Sequence, residues 1–227
     1  MTSTRKETLK DDMSLSYWTE RWENGKTGWH RNDINPGLVD NVEKLLNGRS
    51  QVKIFFPLCG KSMDMKWMYD QGHTIIGVEG FSKAIEEFFK ENDLEYTKEG
   101  SVYSTNDKRL IIHNRDLYDC NVELLGKVDA IWDRGSFVAI NYSDRPKYIS
   151  LMQSFCTRET RYLLNTLVYD TSLFSGPPLC ATKDDINNLV SSWATIEKVY
   201  ETDELNDRWR AIGLKSFIRE VFLIIPN

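Results

Sequence analysis

Histidine is scarce in this sequence and basic charge is not in excess. Three histidines, His30, His73 and His113, and four cysteines, Cys59, Cys120, Cys156 and Cys180, are scattered along 227 residues. The cysteines lie 61, 36 and 24 residues apart and form no CxxC pair, so neither a zinc site nor a disulfide framework has its spacing. Such separated cysteines read as reduced thiols, and the expected compartment is the cytoplasm. No run approaches ~18 consecutive apolar residues, so no membrane span is expected. The opening MTSTRKETLKDDMSLS lacks the apolar stretch of a secretory leader, and its acidic residues argue against a transit peptide. Lys and Arg total 29 against 34 Asp and Glu, a net charge of −5, which disfavours a nucleic-acid binder. The Arg5-Lys6 neighbourhood is too short and mixed to alter that. What is abundant is tryptophan near the start: Trp18, Trp22 and Trp29 fall within twelve residues.

The hydrophobic fraction of 41% supports a real core, and the length suits one α/β domain. Leu15, Trp18 and Trp22 recur at helical spacing over 14–24, with Ser14 as a candidate cap. Asn35-Pro36-Gly37 opens a second helix running to about residue 46. Buried strands are expected at 51–56, 73–78, 110–113, 128–132 and 162–169, alternating with helices at 61–71, 81–92 and 144–156. Thr182 caps a further helix, and 194–200 and 217–225 close the chain as two β segments. Alternation implies a parallel sheet covered on both faces; the closing pair implies an antiparallel hairpin at its edge. Residues 1–13 are expected to be a flexible N-terminus and 14–227 one domain, with 14–48 as a helical cover.

Ligands of such sheets bind beyond the carboxyl ends of the strands. Gly60-Lys61-Ser62 ends like a phosphate loop, yet the position five before Gly60 is Phe55, so GxxxxGK[ST] is absent. GxGxxG is absent too. Glu79 nevertheless stands 19 residues beyond Gly60 at a strand end, where a carboxylate can accept ribose hydroxyls. Ribose and adenine recognition without pyrophosphate recognition fits S-adenosylmethionine, with Asp116 and Leu117 near the adenine. An exposed strand-end carboxylate with no ligand is the competing reading of Glu79.

The chain resembles the thiopurine S-methyltransferase family of class I S-adenosylmethionine-dependent enzymes. The resemblance rests on Trp18-Thr19-Glu20-Arg21-Trp22, Asn24-Gly25-Lys26-Thr27-Gly28-Trp29-His30, Phe55-Phe56-Pro57-Leu58-Cys59-Gly60-Lys61, Met65-Lys66-Trp67, Gly77-Val78-Glu79, Ile131-Trp132-Asp133-Arg134-Gly135, Val138-Ala139-Ile140-Asn141, Asp144-Arg145, Tyr169-Asp170 and Gly176-Pro177-Pro178. These pieces stand in the family's order and cover the chain from about residue 15. The resemblance implies a single doubly wound, mostly parallel, seven-stranded Rossmann-like sheet with an antiparallel C-terminal edge strand. It implies methyl transfer from S-adenosylmethionine to an aromatic or heterocyclic thiol, leaving S-adenosylhomocysteine. Trp18, Trp22, Lys26, Thr27 and Trp29 would close over the cofactor. Leu58 and Gly60 would contact it, Glu79 would hold the ribose, and Asp116 and Leu117 would border the adenine. Arg134 would lie between cofactor and acceptor, with Arg208 and Trp29 at the acceptor. Three departures fall near the acceptor: Trp29 stands where the family commonly has phenylalanine, Ser136-Phe137 replaces smaller or aliphatic residues, and 171–182 differs outside Gly-Pro-Pro.

Several of the singled-out residues have a competing structural reading. Trp18 and Trp22 have the spacing of a core-facing helical stripe, and Trp67 and Trp132 read as packing residues. Cys59 reads as a small packing residue, since sulfonium displacement needs no covalent enzyme intermediate. His30 reads as a solvent-facing loop residue. Asp133 could assist acceptor deprotonation, pair with Arg134 or cap the following helix. Asp11-Asp12 and Asp184-Asp185 read as solvated or helix-start charges rather than metal ligands. A thiol of low pKa arrives as thiolate, so no general base is obligatory and no catalytic residue is assigned. The expected partner is a small-molecule thiol, with no nucleic acid, no membrane and a monomeric chain. A class I enzyme acting on a halide, sulfide, selenol or amine remains open, as does a catalytically silent cofactor binder.

Overall fold

The structure, a computed structural model, describes residues 13–227. Of the N-terminal stretch only Met13 is described, and it is buried; Arg5-Lys6 and Asp11-Asp12 lie outside the described residues. In chain order the elements are α1 (Leu15–Glu23), α2 (Pro36–Val39), α3 (Val42–Leu46), β1 (Lys53–Phe56), α4 (Met63–Asp70) and β2 (Thr74–Glu79). There follow α5 (Ser82–Glu91), β3 (Thr97–Glu99), β4 (Val102–Ser104), β5 (Leu110–Asn114), α6 (Val122–Leu125) and β6 (Ala130–Asp133). The chain closes with α7 (Arg145–Phe155), β7 (Arg161–Val168), α8 (Lys183–Val190), β8 (Ala194–Asp203), α9 (Asp207–Ala211) and β9 (Ile218–Pro226).

The strands form one sheet in the order β3-β4-β5-β2-β1-β6-β7-β9-β8. Neighbours from β5 through β7 are parallel. From β1 the chain winds first toward β2 and β5 and then toward β6 and β7, so the order reverses between β1 and β6. A ligand crevice forms at such a point, because the loops leaving the two strands diverge.

Among the described residues nine strands replace the expected seven. The additional pair, β3 and β4, is an antiparallel hairpin on β5. Every residue of β3 is exposed, which removes the apolar alternation that marks a strand in sequence. The C-terminal strand is antiparallel, as expected, but it is not the edge. β9 pairs with β7 on one side and β8 on the other, and β8 forms the edge. The expected helix over 35–46 divides into α2 and α3. Ser14 precedes α1 without capping it, its hydroxyl meeting that of Ser16 at 2.8 Å. Thr182 does cap α8, in a capping box with Asp185.

Two core layers cover the sheet. Phe55, Ile131 and Leu164 face Phe137, Tyr148 and Phe155 on one side; Ile54, Phe56, Trp132 and Leu163 face Leu38, Met65 and Phe88 on the other. Successive residues of β1 point to opposite layers, and both are dry, hence the unbroken apolar run. Fully burying each such phenylalanine stabilises the fold by about 1.5–3 kcal/mol. Among the described residues no helix is long and apolar enough to cross a membrane.

Candidate active site

Beyond the carboxyl ends of β1, β2, β6 and β7 lies a cavity of about 790 Å³. After β1 the chain turns through Pro57-Leu58-Cys59-Gly60, with positive φ at Leu58 (42°) and Gly60 (51°). A leucine held there costs about 1–2 kcal/mol, so the loop is held by its surroundings. Part of that hold is Glu79 at the end of β2. Its carboxylate accepts from Gly60 N–H at 2.9 Å and from Phe81 N–H at 2.8 Å. Glu79 is buried, and burial raises its pKa although those hydrogen bonds oppose the rise. The exposed strand-end alternative does not describe it. Further along, Asp116 turns one oxygen to Tyr118 N–H at 2.8 Å, and Leu117 is buried at the cavity wall.

Helix α1 buries none of its own residues, so Trp18 and Trp22 are not core side chains. They line the cavity with Trp29. Trp29 meets Trp18 edge to face at 5.2 Å and Trp22 at 5.6 Å, while Trp22 stacks on Phe81 at 6.0 Å. A Cβ on Gly60 would stand 3.3 Å from the Trp22 ring, and one on Gly80 would stand 2.1 Å from Leu15. Glycine at both positions lets α1 approach the strand ends. Lys26 is exposed at the cavity, whereas Thr27 does not line it; its carbonyl accepts from His30 N–H at 2.8 Å.

The far end of the cavity is built on β6, β7 and β9. Arg134 donates to the Trp29 carbonyl at 2.9 Å, tying the N-terminal segment to β6. Burial, followed by the charges of Arg219 and Arg31, brings its pKa down to about 10, so it remains cationic at neutral pH. Arg219 grips Glu204 through two hydrogen bonds, at 2.7 and 2.5 Å, and Arg31 reaches the same carboxylate at 3.4 Å. Burial pushes Glu204 up, but Arg219 and Arg31 outweigh it and leave its pKa below the ordinary value. Arg208 is exposed on α9, stacks on Trp209 and makes no ion pair among the described residues. Its guanidinium would lie 3.3 Å from a Cβ on Gly28.

The remaining residues singled out in the sequence divide between the cavity wall and the interior. Asp133 is fully buried outside the cavity, accepting from Tyr148 and Tyr162 hydroxyls at 2.7 Å each and from Phe137 N–H at 3.1 Å. It caps the turn after β6 and has no access to an acceptor. Cys59 is buried against Gly77, its pKa raised well above the ordinary value by burial and then by Glu79. His30 is half-buried at the cavity wall, not solvent-facing, and burial with Lys61 lowers its pKa. Ser136 and Phe137 are interior residues, so those departures do not line the cavity. Trp132 packs in the core and donates to Asp64 at 2.8 Å. The sequence reading missed Arg31, Asn165, Glu204 and Arg219. Asn165 and Arg219 were detectable as polar residues inside apolar strands; Glu204 carried no signal.

The sequence model of the family described as Thiopurine S-methyltransferase matches residues 13–225. A Danio rerio protein named "Probable thiopurine S-methyltransferase" is 41% identical over 219 residues, covering 93% of this chain and 94% of that one. Thiopurine S-methyltransferase of Bos taurus is 33% identical over 218 residues, covering 93% and 89%. Among solved structures, magnesium protoporphyrin IX methyltransferase from Synechocystis with bound S-adenosylmethionine aligns with TM-score 0.64 at 12% identity, covering 96% and 99%. The Burkholderia thailandensis 1,6-didemethyltoxoflavin-N1-methyltransferase, with its acceptor and S-adenosylhomocysteine bound, aligns with TM-score 0.63 at 12% identity, covering 95% and 88%. The shared fold is that of the class I S-adenosylmethionine-dependent methyltransferases.

Proposed function

Because the chain belongs to the thiopurine S-methyltransferase family, we propose that it transfers a methyl group from S-adenosylmethionine to the sulfur of an aromatic or heterocyclic thiol. The observation that carries this reading is one cavity joining a buried carboxylate at the end of β2, three indoles and the guanidinium of Arg134. When bound, the cofactor supplies a methyl group already activated by its sulfonium. The residues present fit it. Each Glu79 oxygen holds one backbone N–H and keeps a lone pair for a ribose hydroxyl. Leu58 and Gly60 form the adjoining wall, and Asp116 and Leu117 border the adenine. Trp18, Trp22 and Trp29 present aromatic faces to a sulfonium, worth about 0.5–2 kcal/mol per contact. With Lys26, and with Thr27 supporting the turn, they belong to the cover, residues 14–48, that excludes water from the cofactor site.

Arg134 and Arg208 orient the acceptor, because guanidinium stays cationic and offers several donors to an anionic ring. Alignment of nucleophile, methyl carbon and leaving sulfur can lower the barrier by up to about 7–11 kcal/mol. No side chain need remove a proton from a thiol that arrives as thiolate. A net charge of −5 supports a small-molecule acceptor over nucleic acid, and four buried free cysteines support a cytoplasmic protein; we take it to act as a monomer. The test is incubation with methyl-labelled S-adenosylmethionine and a panel of thiols, amines and halides. Label is expected in S-methyl products. Methylation of an amine with no thiol modified would overturn the reading.

A further inference from the structure

Two amides at the acceptor end are buried without a complete set of partners. Asn165 is 2% exposed and Asn35 1%, both line the cavity, and neither Nδ2 has a hydrogen-bond partner among the described residues. The other end of each amide fixes its orientation. Arg219 donates from Nη1 to Asn165 Oδ1 at 2.6 Å, and Gly37 N–H donates to Asn35 Oδ1 at 2.9 Å. Guanidinium and backbone N–H can only donate, so each amide must present its oxygen to them and keep its N–H₂ for another partner.

Register brings these groups together. Asp133 stands opposite Leu164, so Arg134 and Asn165 emerge side by side where β6 ends. Asn165 stands opposite Val221. A Cβ on Gly37 would lie 2.8 Å from a Val221 methyl, which places the start of α2, with Asn35, on that face. The charges nearby decide what the amides can read. Arg31, Arg134, Arg208 and Arg219 line this end with Asp33, Asp64 and Glu204, an excess of one positive charge. A single thiolate neutralises that excess. A second anion would have no counter-charge, whereas an uncharged acceptor atom would satisfy an N–H₂ that is otherwise unpaired.

We propose that Asn165, oriented by Arg219, is a specificity-determining residue of the acceptor site. Its N–H₂ reads an uncharged hydrogen-bond-accepting heteroatom, a ring nitrogen or oxo oxygen, on the acceptor thiol; Asn35 serves a second such atom. The inference rests on the thiol-methyltransferase reading. Its test compares pyrimidine-2-thiol with thiophenol, both as thiolates, in the wild type and in Asn165→Asp. That substitution keeps an oxygen for Arg219 and removes the donor. The ratio of kcat/KM for pyrimidine-2-thiol to that for thiophenol is expected to fall about tenfold or more in the variant; an unchanged ratio overturns the proposal. Should the variant not fold, the wild type decides by its affinities, with S-adenosylhomocysteine present, for the two S-methyl products. Binding of 2-(methylthio)pyrimidine about tenfold tighter than thioanisole is expected, and equal affinity overturns it. Wild-type protein that methylates neither thiol would instead overturn the function on which the inference rests.

Discussion

A carboxylate taken out of water must be satisfied by the protein or kept protonated, and Asp133 shows both pressures at once. The Tyr148 and Tyr162 hydroxyls and the Phe137 N–H donate to it, yet burial dominates and raises its pKa above the ordinary 3.8. The folded state therefore holds this proton more tightly than the unfolded chain. Below the unfolded value both states are protonated and the buried charge costs nothing. As pH climbs, the unfolded chain ionises first, and the folded state loses relative stability until the folded pKa is passed. Asp133→Asn lacks that loss, so its Tm relative to wild type should rise as pH climbs above the ordinary carboxylate range, about pH 4. Thermal denaturation as a function of pH checks it, and a pH-independent difference would contradict it. At this scale the sequence was half legible. WDRG singled out Asp133 beside Arg134, but alternation along β6 turns them to opposite sides, and only packing shows which is buried beneath the site.

Helix α1 is an element without a core of its own. It is held by Leu15 against Gly80, Trp22 against Gly60 and Phe81, and, just beyond it, the Arg134 bond to the Trp29 carbonyl. Those contacts lie at the cavity, so the helix builds the cavity wall and not the core of the sheet. Removing residues 1–24 should leave a cooperatively folded protein while weakening S-adenosylhomocysteine binding about tenfold or more, through the lost aromatic contacts. Calorimetry and circular dichroism together check this; unchanged affinity in the folded truncation would refute it. The long elements were readable because β1, β2, β6 and β7 are apolar on both faces and α5 has a strong apolar stripe. Exposed β3 and the five-residue α9 were not, since neither buries enough side chains to impose a period. The indoles of α1 kept helical spacing, but spacing alone cannot distinguish a core face from a cavity wall.

Cavity-lining residues run from Met13 to Arg219, so the site is a property of the closed chain and not of any one motif. The Arg31–Glu204–Arg219 cluster joins the N-terminal segment to the loop after β8 and to β9. Glu79 and the PLCG loop were legible in the sequence as neighbours at one cavity, because they lie at consecutive strand ends. The meeting of Asn165 with Arg219 was not legible, because it comes about only through the antiparallel insertion of β9 beside β7. Occupation of such a cavity should stabilise the whole fold by linkage. At a ligand concentration about 100 times Kd the gain is about 2.7 kcal/mol. For a chain of this size that corresponds to a rise in Tm of about 5–10 °C. S-adenosylhomocysteine should produce this rise in the wild type. Glu79→Gln should unfold at a lower temperature, since one of its two backbone N–H contacts then faces an amide N–H₂, and it should show a smaller rise at the same ligand concentration. A full-sized rise in Glu79→Gln would mean that the β2 carboxylate does not hold the ligand, and the cofactor would have to be placed by the aromatic wall instead.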